Sequence, residues 1–349
     1  MKYLYSLVIS VTIFMFTSCG SPKSTVYEEK TVYLGMTSPE EGGLNLVKIT
    51  DEAVGSVVGG SQGTLVSNTK YVNSLMGFNL NSNYRWSAYP NLDISPNGKE
   101  LAYVTRVNDL CNVVVRSAGS VGVTTQRTFR NVVGGICWGT DNRLYFCDAN
   151  KPNYYICSMD AKQGSVMSQH TNGNVDDSFP ALTTDGTLLY FTRWTSTYGP
   201  SIWSLNKSNG TLSSCARGFN ACPIPGDNES FYCVRNSSSG RSEIWYVNYV
   251  KGQESIVLSD AKRSFTNPRL SPDGKWLLVV GNATSSISKE ENQDIFVVRT
   301  DGTQLTQLTY HPCVDMCPVW AKDGKNIFFI SSRANKEQAY NIWRMSFNL

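Results

Sequence analysis

Histidine is nearly absent from this sequence, since its 349 residues include only His170 and His311. A triad or a lyase site that relies on several histidines is therefore difficult to build. Lys and Arg number 31 against 28 Asp and Glu, so the formal net charge of +3 does not indicate nucleic-acid binding. We expect no catalytic site, no cofactor and no nucleic-acid partner.

Long apolar runs are also scarce. Leu4–Phe16 spans about 13 residues, too few for a membrane-spanning helix but typical of a signal-peptide core. Small residues then lead into Cys19, an ending that resembles the lipobox of bacterial lipoproteins, although Phe16 stands where Leu is usual. We interpret 1–18 as a signal peptide, Cys19 as the lipidated first mature residue and 19–30 as a tether. The lipid would then be the only contact with the membrane.

Charged residues are few, at 17%, while 28 glycines and many aromatic residues suit an all-β chain with tight turns. A motif recurs over residues 85–349 about every 45 residues, the period of a four-stranded propeller blade. Each copy has a short strand, an Asp-Gly-type turn and further strands. The copies start near Pro90, Ile136, Pro180, Pro223, Pro268 and Pro318.

The repeats resemble those of the TolB-like β-propellers, most closely in Ser271-Pro-Asp-Gly-Lys275 with Asp294-Ile-Phe296. The resemblance implies a six-bladed β-propeller of four-stranded antiparallel blades. Because the last copy ends after its third strand, a strand from 31–84, either 31–36 or 44–49, is expected to close the ring. The alternative is a seventh, partial blade built from 31–84.

Basic and aromatic residues recur in the connections that lead into the blades. Such connections share one face of a propeller, so they predict a binding surface at the mouth of the central channel for an acidic peptide or an anionic glycan. The candidate residues are Arg85, Trp86, Tyr89, Arg130, Phe179, Arg217, Phe219, Arg263, Phe265 and, more loosely, His170 and His311. Alternatively, each arginine pairs with an aspartate such as Asp177 or Asp315 and only ties blades together.

Ten cysteines are present, and nine would remain beside Cys19. Export would permit disulfides. Candidate pairs are Cys313–Cys317 and Cys215–Cys222, whereas Cys147 and Cys157 could pair or stay buried thiols. The loop from His311 to Cys317 mixes ligand types without the paired spacing of a structural zinc site, so no metal is predicted.

Taken together, these features predict a non-catalytic, lipid-anchored propeller of the cell envelope, facing the periplasm or the cell surface of a Gram-negative-type bacterium. Its expected partner is an envelope protein or a peptide segment. The alternatives are a glycan-binding module and a propeller lyase acting on acidic oligosaccharides.

Overall fold

The computed structural model describes residues 39–50, 57–59, 84–86, 92–107, 110–119, 122–129, 132–148, 153–162, 165–195, 199–284, 291–331, 333 and 340–348. The signal-peptide, lipidation and tether predictions, including Cys19, lie outside them. Within the described ranges, no helix is long and apolar enough to cross a membrane.

Six four-stranded antiparallel sheets form a ring, which confirms the six-bladed propeller. Strands β4–β23 build the first five blades in chain order: β4 (Leu92–Ile94), β5 (Glu100–Val107), β6 (Leu110–Ser117) and β7 (Thr125–Gln126); β8 (Val132–Trp138), β9 (Arg143–Asp148), β10 (Tyr155–Asp160) and β11 (Met167–Gln169); β12 (Asp176–Leu182), β13 (Leu188–Thr195), β14 (Gly199–Asn206) and β15 (Leu212–Arg217); β16 (Phe219–Ile224), β17 (Asp227–Asn236), β18 (Ser242–Asn248) and β19 (Gln253–Leu258); β20 (Phe265–Leu270), β21 (Trp276–Thr284), β22 (Glu291–Arg299) and β23 (Thr306–Gln307).

The sixth blade combines both ends of the described chain. Its inner three strands are β24 (Asp315–Trp320), β25 (Asn326–Ser331) and β26 (Asn341–Ser346), and its outermost strand is β1 (Val47–Lys48). The seven-bladed alternative is wrong, because the strands β2 (Val57–Gly59) and β3 (Tyr84–Trp86) form only a two-stranded sheet. Among the described residues, the N-terminal segment therefore contributes one edge strand to the ring.

A repeated threonine fixes the outer strand in four blades. Its hydroxyl accepts a 2.9 Å hydrogen bond from a backbone N–H of the third strand, at Thr128, Thr171, Thr309 and Thr50. In the first three of these blades a glutamine two residues earlier donates to the carbonyl of the same threonine. These blades thus share the motif Gln-x-Thr, and Lys-Ile-Thr at residues 48–50 takes its place in the sixth blade. The sequence analysis did not use this motif to identify the closing strand.

In blades 2 to 6 the innermost strand carries a bulge near its start. In blades 3 to 6 the first residue of the bulge has a positive φ: Phe179 at 52°, Asn220 at 55°, Asn267 at 56° and Cys317 at 51°. Left-handed backbone at a residue other than glycine is uncommon, and its recurrence shows that the bulge is part of the repeat.

Two faces of the ring can now be defined. The connection face carries the links between blades, such as Gly218 and 259–264, and the hairpins that join second to third strands. The turn face carries the links from first to second strands, such as 271–275. Apolar side chains fill the spaces between blades, and the largest cluster draws from blades 1 and 3 to 6.

Candidate functional site

Two of the predicted arginines lie on the connection face with side chains open to solvent. Arg217 ends β15 and is exposed, while its carbonyl accepts a 3.0 Å hydrogen bond from Arg235 Nε. Arg263 has a side chain that is 41% exposed and lies 3.8 Å from Asp260, the limit of an ion pair. Its guanidinium also lies over the ring of Phe296 at 5.7 Å. Such an exposed pair contributes little to stability, so the charge is available to a ligand.

Other predicted residues cannot be placed at the same level of detail. Arg85 and Trp86 belong to β3, which pairs with β2, and only their backbone is described. Tyr89 and Arg130 lie outside the described residues. Their part in a binding surface stays a prediction.

The aromatic residues of blades 3 to 5 are not open to a ligand. Phe179, Phe219 and Phe265 are all buried in the largest hydrophobic cluster, and Phe265 packs edge-on against Phe296 at 5.7 Å. Each lies at the start of the inner-strand bulge or within two residues before it, and its side chain packs between blades. The expectation that these rings provide stacking surfaces for a sugar is therefore corrected.

The acids proposed as arginine partners are paired, but with other arginines. Arg193 on β13 binds Asp177 of the same blade through two hydrogen bonds of 2.8 and 2.9 Å. Arg333 binds Asp315 of its own blade. These pairs lie within a blade, so they do not tie neighbouring blades together, and the connection arginines do not take part in them.

Three arginines on second strands or just after them each stack on a tryptophan that lies ten residues further along the chain. The sequence analysis did not identify this pairing. The guanidinium of Arg193 lies 4.6 Å from the Trp203 ring centre, and that of Arg235 lies 4.7 Å from Trp245. Arg333 repeats the arrangement with Trp343 at 5.8 Å. The constant spacing of ten residues in the sequence could have revealed this structural motif.

His311 is buried in a cluster of charges that joins the N-terminal segment to blade 6. Glu41, in the 3₁₀ turn Pro39–Glu41, accepts the backbone N–H of His311 at 3.1 Å and the guanidinium of Arg333 at 3.0 Å. Burial raises the pKa of Asp315 to about 6 against the lowering effect of Arg333. Because this cluster is enclosed, it supports the ring closure and is not a surface for ligands, so the candidate role of His311 as a mouth residue is corrected.

His170 makes the one contact that resembles a nucleophile and its base. Its Nε2 lies 2.7 Å from Ser158 Oγ, and burial lowers its pKa to about 4. However, Ser158 is fully buried, and Arg143 Nε donates to the same hydroxyl at 2.9 Å. A substrate would have no access to this hydroxyl.

The eight cysteines from Cys137 to Cys317 remain thiols. Cys147 and Cys157 pack into different clusters on opposite faces of blade 2. Cys215 lies on the outermost strand of blade 3, whereas Cys222 lies on the innermost strand of blade 4. Neither pair can form a disulfide in this fold, and Cys313 and Cys317 are likewise thiols. In the described ranges, no three His, Cys, Asp or Glu residues are grouped to hold a metal ion.

Four basic residues lie in connections on the connection face of blades 3 to 5, here called the basic sector: Arg217, Arg241, Lys262 and Arg263. Arg241 ends the hairpin between β17 and β18, and Lys262 is in the link from β19 to β20. Arg217, Arg241 and Lys262 form no ion pair within the described part of the chain, and Arg263 has only its 3.8 Å contact. The sector can attract an anion.

Comparison with known proteins agrees with this fold. Residues 232–348 match the family model described as the TolB beta propeller domain. This part of the six-bladed ring is therefore similar to that family. A TolB homolog of Chlorobium luteolum is 25% identical over 186 residues, which cover 53% of this chain and 30% of that protein. The match thus spans less than a third of the relative's length.

Solved structures show the same fold at low identity. TolB from Acinetobacter baumannii aligns with a TM-score of 0.54 and 15% identity, covering 72% of this chain and 64% of that one. Oligogalacturonate lyase from Vibrio parahaemolyticus also gives a TM-score of 0.54, with 10% identity, over 88% of this chain and 97% of the lyase. These likenesses establish the architecture.

Proposed function

We propose that this TolB-like propeller is a lipid-anchored, non-catalytic protein of the cell envelope that binds an acidic segment of a partner protein on its connection face. The observation that carries the proposal is the basic sector. Three of its four cations form no ion pair among the described residues, and the fourth has only a weak one. An acidic segment would supply the missing negative charge.

The recognition depends on chemistry that arginine provides. Its planar group binds a carboxylate with two parallel hydrogen bonds, and a surface of one sign speeds the approach of an oppositely charged partner. Arg217 and Arg263 flank the entry to β16 and β20, so both point to the same side of adjacent blades. An extended segment with several Asp or Glu residues would offer carboxylates to these cations.

The test compares two charge-reversal variants in affinity capture from solubilised envelope. One variant is Arg217→Glu/Arg241→Glu/Lys262→Glu in the basic sector. The control, Lys251→Glu/Lys275→Glu/Lys325→Glu, changes the net charge equally on the turn face, where these three lysines are exposed. Both variants must first show wild-type circular dichroism.

A partner that the wild type and the control retain, but the basic-sector variant loses, supports the proposal. Capture should also weaken steeply with salt, because several exposed charges contribute. Equal capture by both variants would refute the role of the sector.

An acidic oligosaccharide is the second candidate ligand, because its carboxylates suit the same cations. Binding of oligogalacturonate to the wild type and not to the basic-sector variant would favour it. Formation of unsaturated products from that substrate would show a lyase and overturn the non-catalytic proposal.

A further inference from the structure

One arginine at the turn-face end of the central channel has no described partner for its side chain. Arg269 is the last residue but one of β20, the inner strand of blade 5, and is half-buried. Its Nε is enclosed and makes no hydrogen bond in the described structure. Only its backbone carbonyl is engaged, by Trp320 Nε1 at 2.9 Å. The guanidinium therefore keeps donors available.

Side chains from other blades line the same level of the channel. Asp93, Cys137 and Cys222 each lie near the end of an inner strand and each accept a backbone N–H from the inner strand of another blade. The bonds run from Trp138 N to Asp93 Oδ2 at 2.7 Å, from Leu182 N to Cys137 Sγ at 3.5 Å and from Leu270 N to Cys222 Sγ at 3.3 Å. These acceptors lie along the inner wall of the ring.

Arg269 lies at the same position of its inner strand as Asp93, Cys137 and Cys222 do on theirs. Burial raises the pKa of Cys137 to about 12, and the charge of Arg269 opposes that rise. Blades 2 and 5 are opposite each other in a ring of six, so this interaction crosses the channel. Burial also raises the pKa of Cys222, against the same arginine. Both thiols are therefore neutral neighbours of the guanidinium.

Asp93, the acid at the equivalent position of blade 1, is already held in place. Asp93 Oδ1 accepts the N–H of Ile94 at 2.9 Å, and Oδ2 accepts that of Trp138. Both oxygens thus bind backbone, and no ion pair joins Asp93 to Arg269 among the described residues. Its negative charge makes a dianion unfavourable beside it, whereas one carboxylate can be accommodated.

We propose that the turn-face end of the channel binds a single carboxylate through the guanidinium of Arg269. The two Nη groups of the half-buried guanidinium can present the two parallel donors that match a carboxylate. Neutral thiols, with Ala181 and Val319 at the equivalent positions of blades 3 and 6, make the surroundings weakly polar. The carboxylate belongs either to a small free acid or to the C-terminus of an extended peptide. This site is separate from the basic sector and does not depend on its function.

The test measures thermal stability at constant ionic strength with three probes. These are acetate, N-acetyl-trialanine as the free acid, and the same peptide as its C-terminal amide. Wild type, Arg269→Met and Lys275→Met are compared, the last removing an exposed charge from the adjacent turn of the same blade. We expect the acids to raise the Tm of wild type and Lys275→Met, with the apparent affinity of Arg269→Met reduced roughly tenfold or more.

Stabilisation by acetate and the peptide acid indicates a free-acid source, and stabilisation by the peptide acid alone indicates a chain terminus. No stabilisation of wild type by either acid, or an equal effect on Arg269→Met, would overturn the proposal. Arg269→Lys is the second variant if Arg269→Met does not fold. It keeps the charge without the fork, so unchanged affinity in that variant would refute the paired-donor geometry.

Discussion

Removing Arg333 is expected to be among the most damaging single changes to this propeller. The guanidinium is fully buried between Glu41 and Asp315 and also donates to Ser331 Oγ at 3.0 Å. In Arg333→Met two buried carboxylates lose their cation while the apolar volume is roughly kept. Breaking a buried pair in this way costs about 3–5 kcal/mol, because the remaining charge is left uncompensated. A large part of the free energy of unfolding of a typical domain would be lost.

The assay is urea unfolding followed by tryptophan fluorescence, with the midpoint as readout. Arg263→Met is the matched control, because its exposed 3.8 Å contact should contribute less than about 1 kcal/mol. Adding Glu41→Gln and Asp315→Asn to Arg333→Met should restore much of the loss, since the uncompensated charges are then removed. A loss below about 1 kcal/mol in Arg333→Met, or no recovery in the triple variant, would refute the reasoning.

Further predictions concern the outer strands, pH and one glycine. Thr309→Val removes a 2.9 Å bond to a buried N–H and should lower the free energy of unfolding by about 1–3 kcal/mol; an unchanged urea midpoint would contradict this. Since burial lowers the pKa of His170 from 6.5 to about 4, its stabilising effect is complete above pH 6.5 and declines toward pH 4. As the pH is lowered from 6.5 to 4, Tm should therefore fall less steeply in His170→Gln than in the wild type. Parallel curves of Tm against pH would contradict this prediction. Gly218→Ala should destabilise strongly, because a Cβ would lie 2.6 Å from a backbone oxygen at a φ of +118°, whereas Gly252→Ala meets no atom within 4 Å; equal Tm values would disprove the steric argument.

The blade count could be predicted because the repeat is local. Asp-Gly-type turns such as that at Gly274, with a φ of 72°, recur at a fixed period and identify the hairpins without any tertiary information. The strand that closes the ring was harder to predict, because two N-terminal segments have the composition of a strand. The Thr50 hydroxyl at the position of Thr309 would have distinguished them, but its meaning depends on a partner strand near the other end of the chain.

The candidate site was only partly predictable. Proximity in sequence placed Arg217 and Arg263 on one face correctly, because connections between blades share a side by topology. The same argument failed for Phe219 and Phe265, because the direction of a side chain depends on the alternation and bulge of the following strand. Arg269 has no local signal, since its isolation depends on which residues of other blades reach the channel.

Because β1 closes the ring, it determines which contacts resist a force that pulls on the N-terminal part of the chain. β1 contributes two paired residues, Val47 and Lys48, and Glu41 holds the preceding turn against Arg333. A pull on the chain before Pro39 would reach Glu41 first and then β1, at the outermost position of blade 6. The Glu41–Arg333 salt bridge that stabilises the closed ring would therefore also resist opening of the ring under tension. The other five blades would bear no force until that salt bridge breaks.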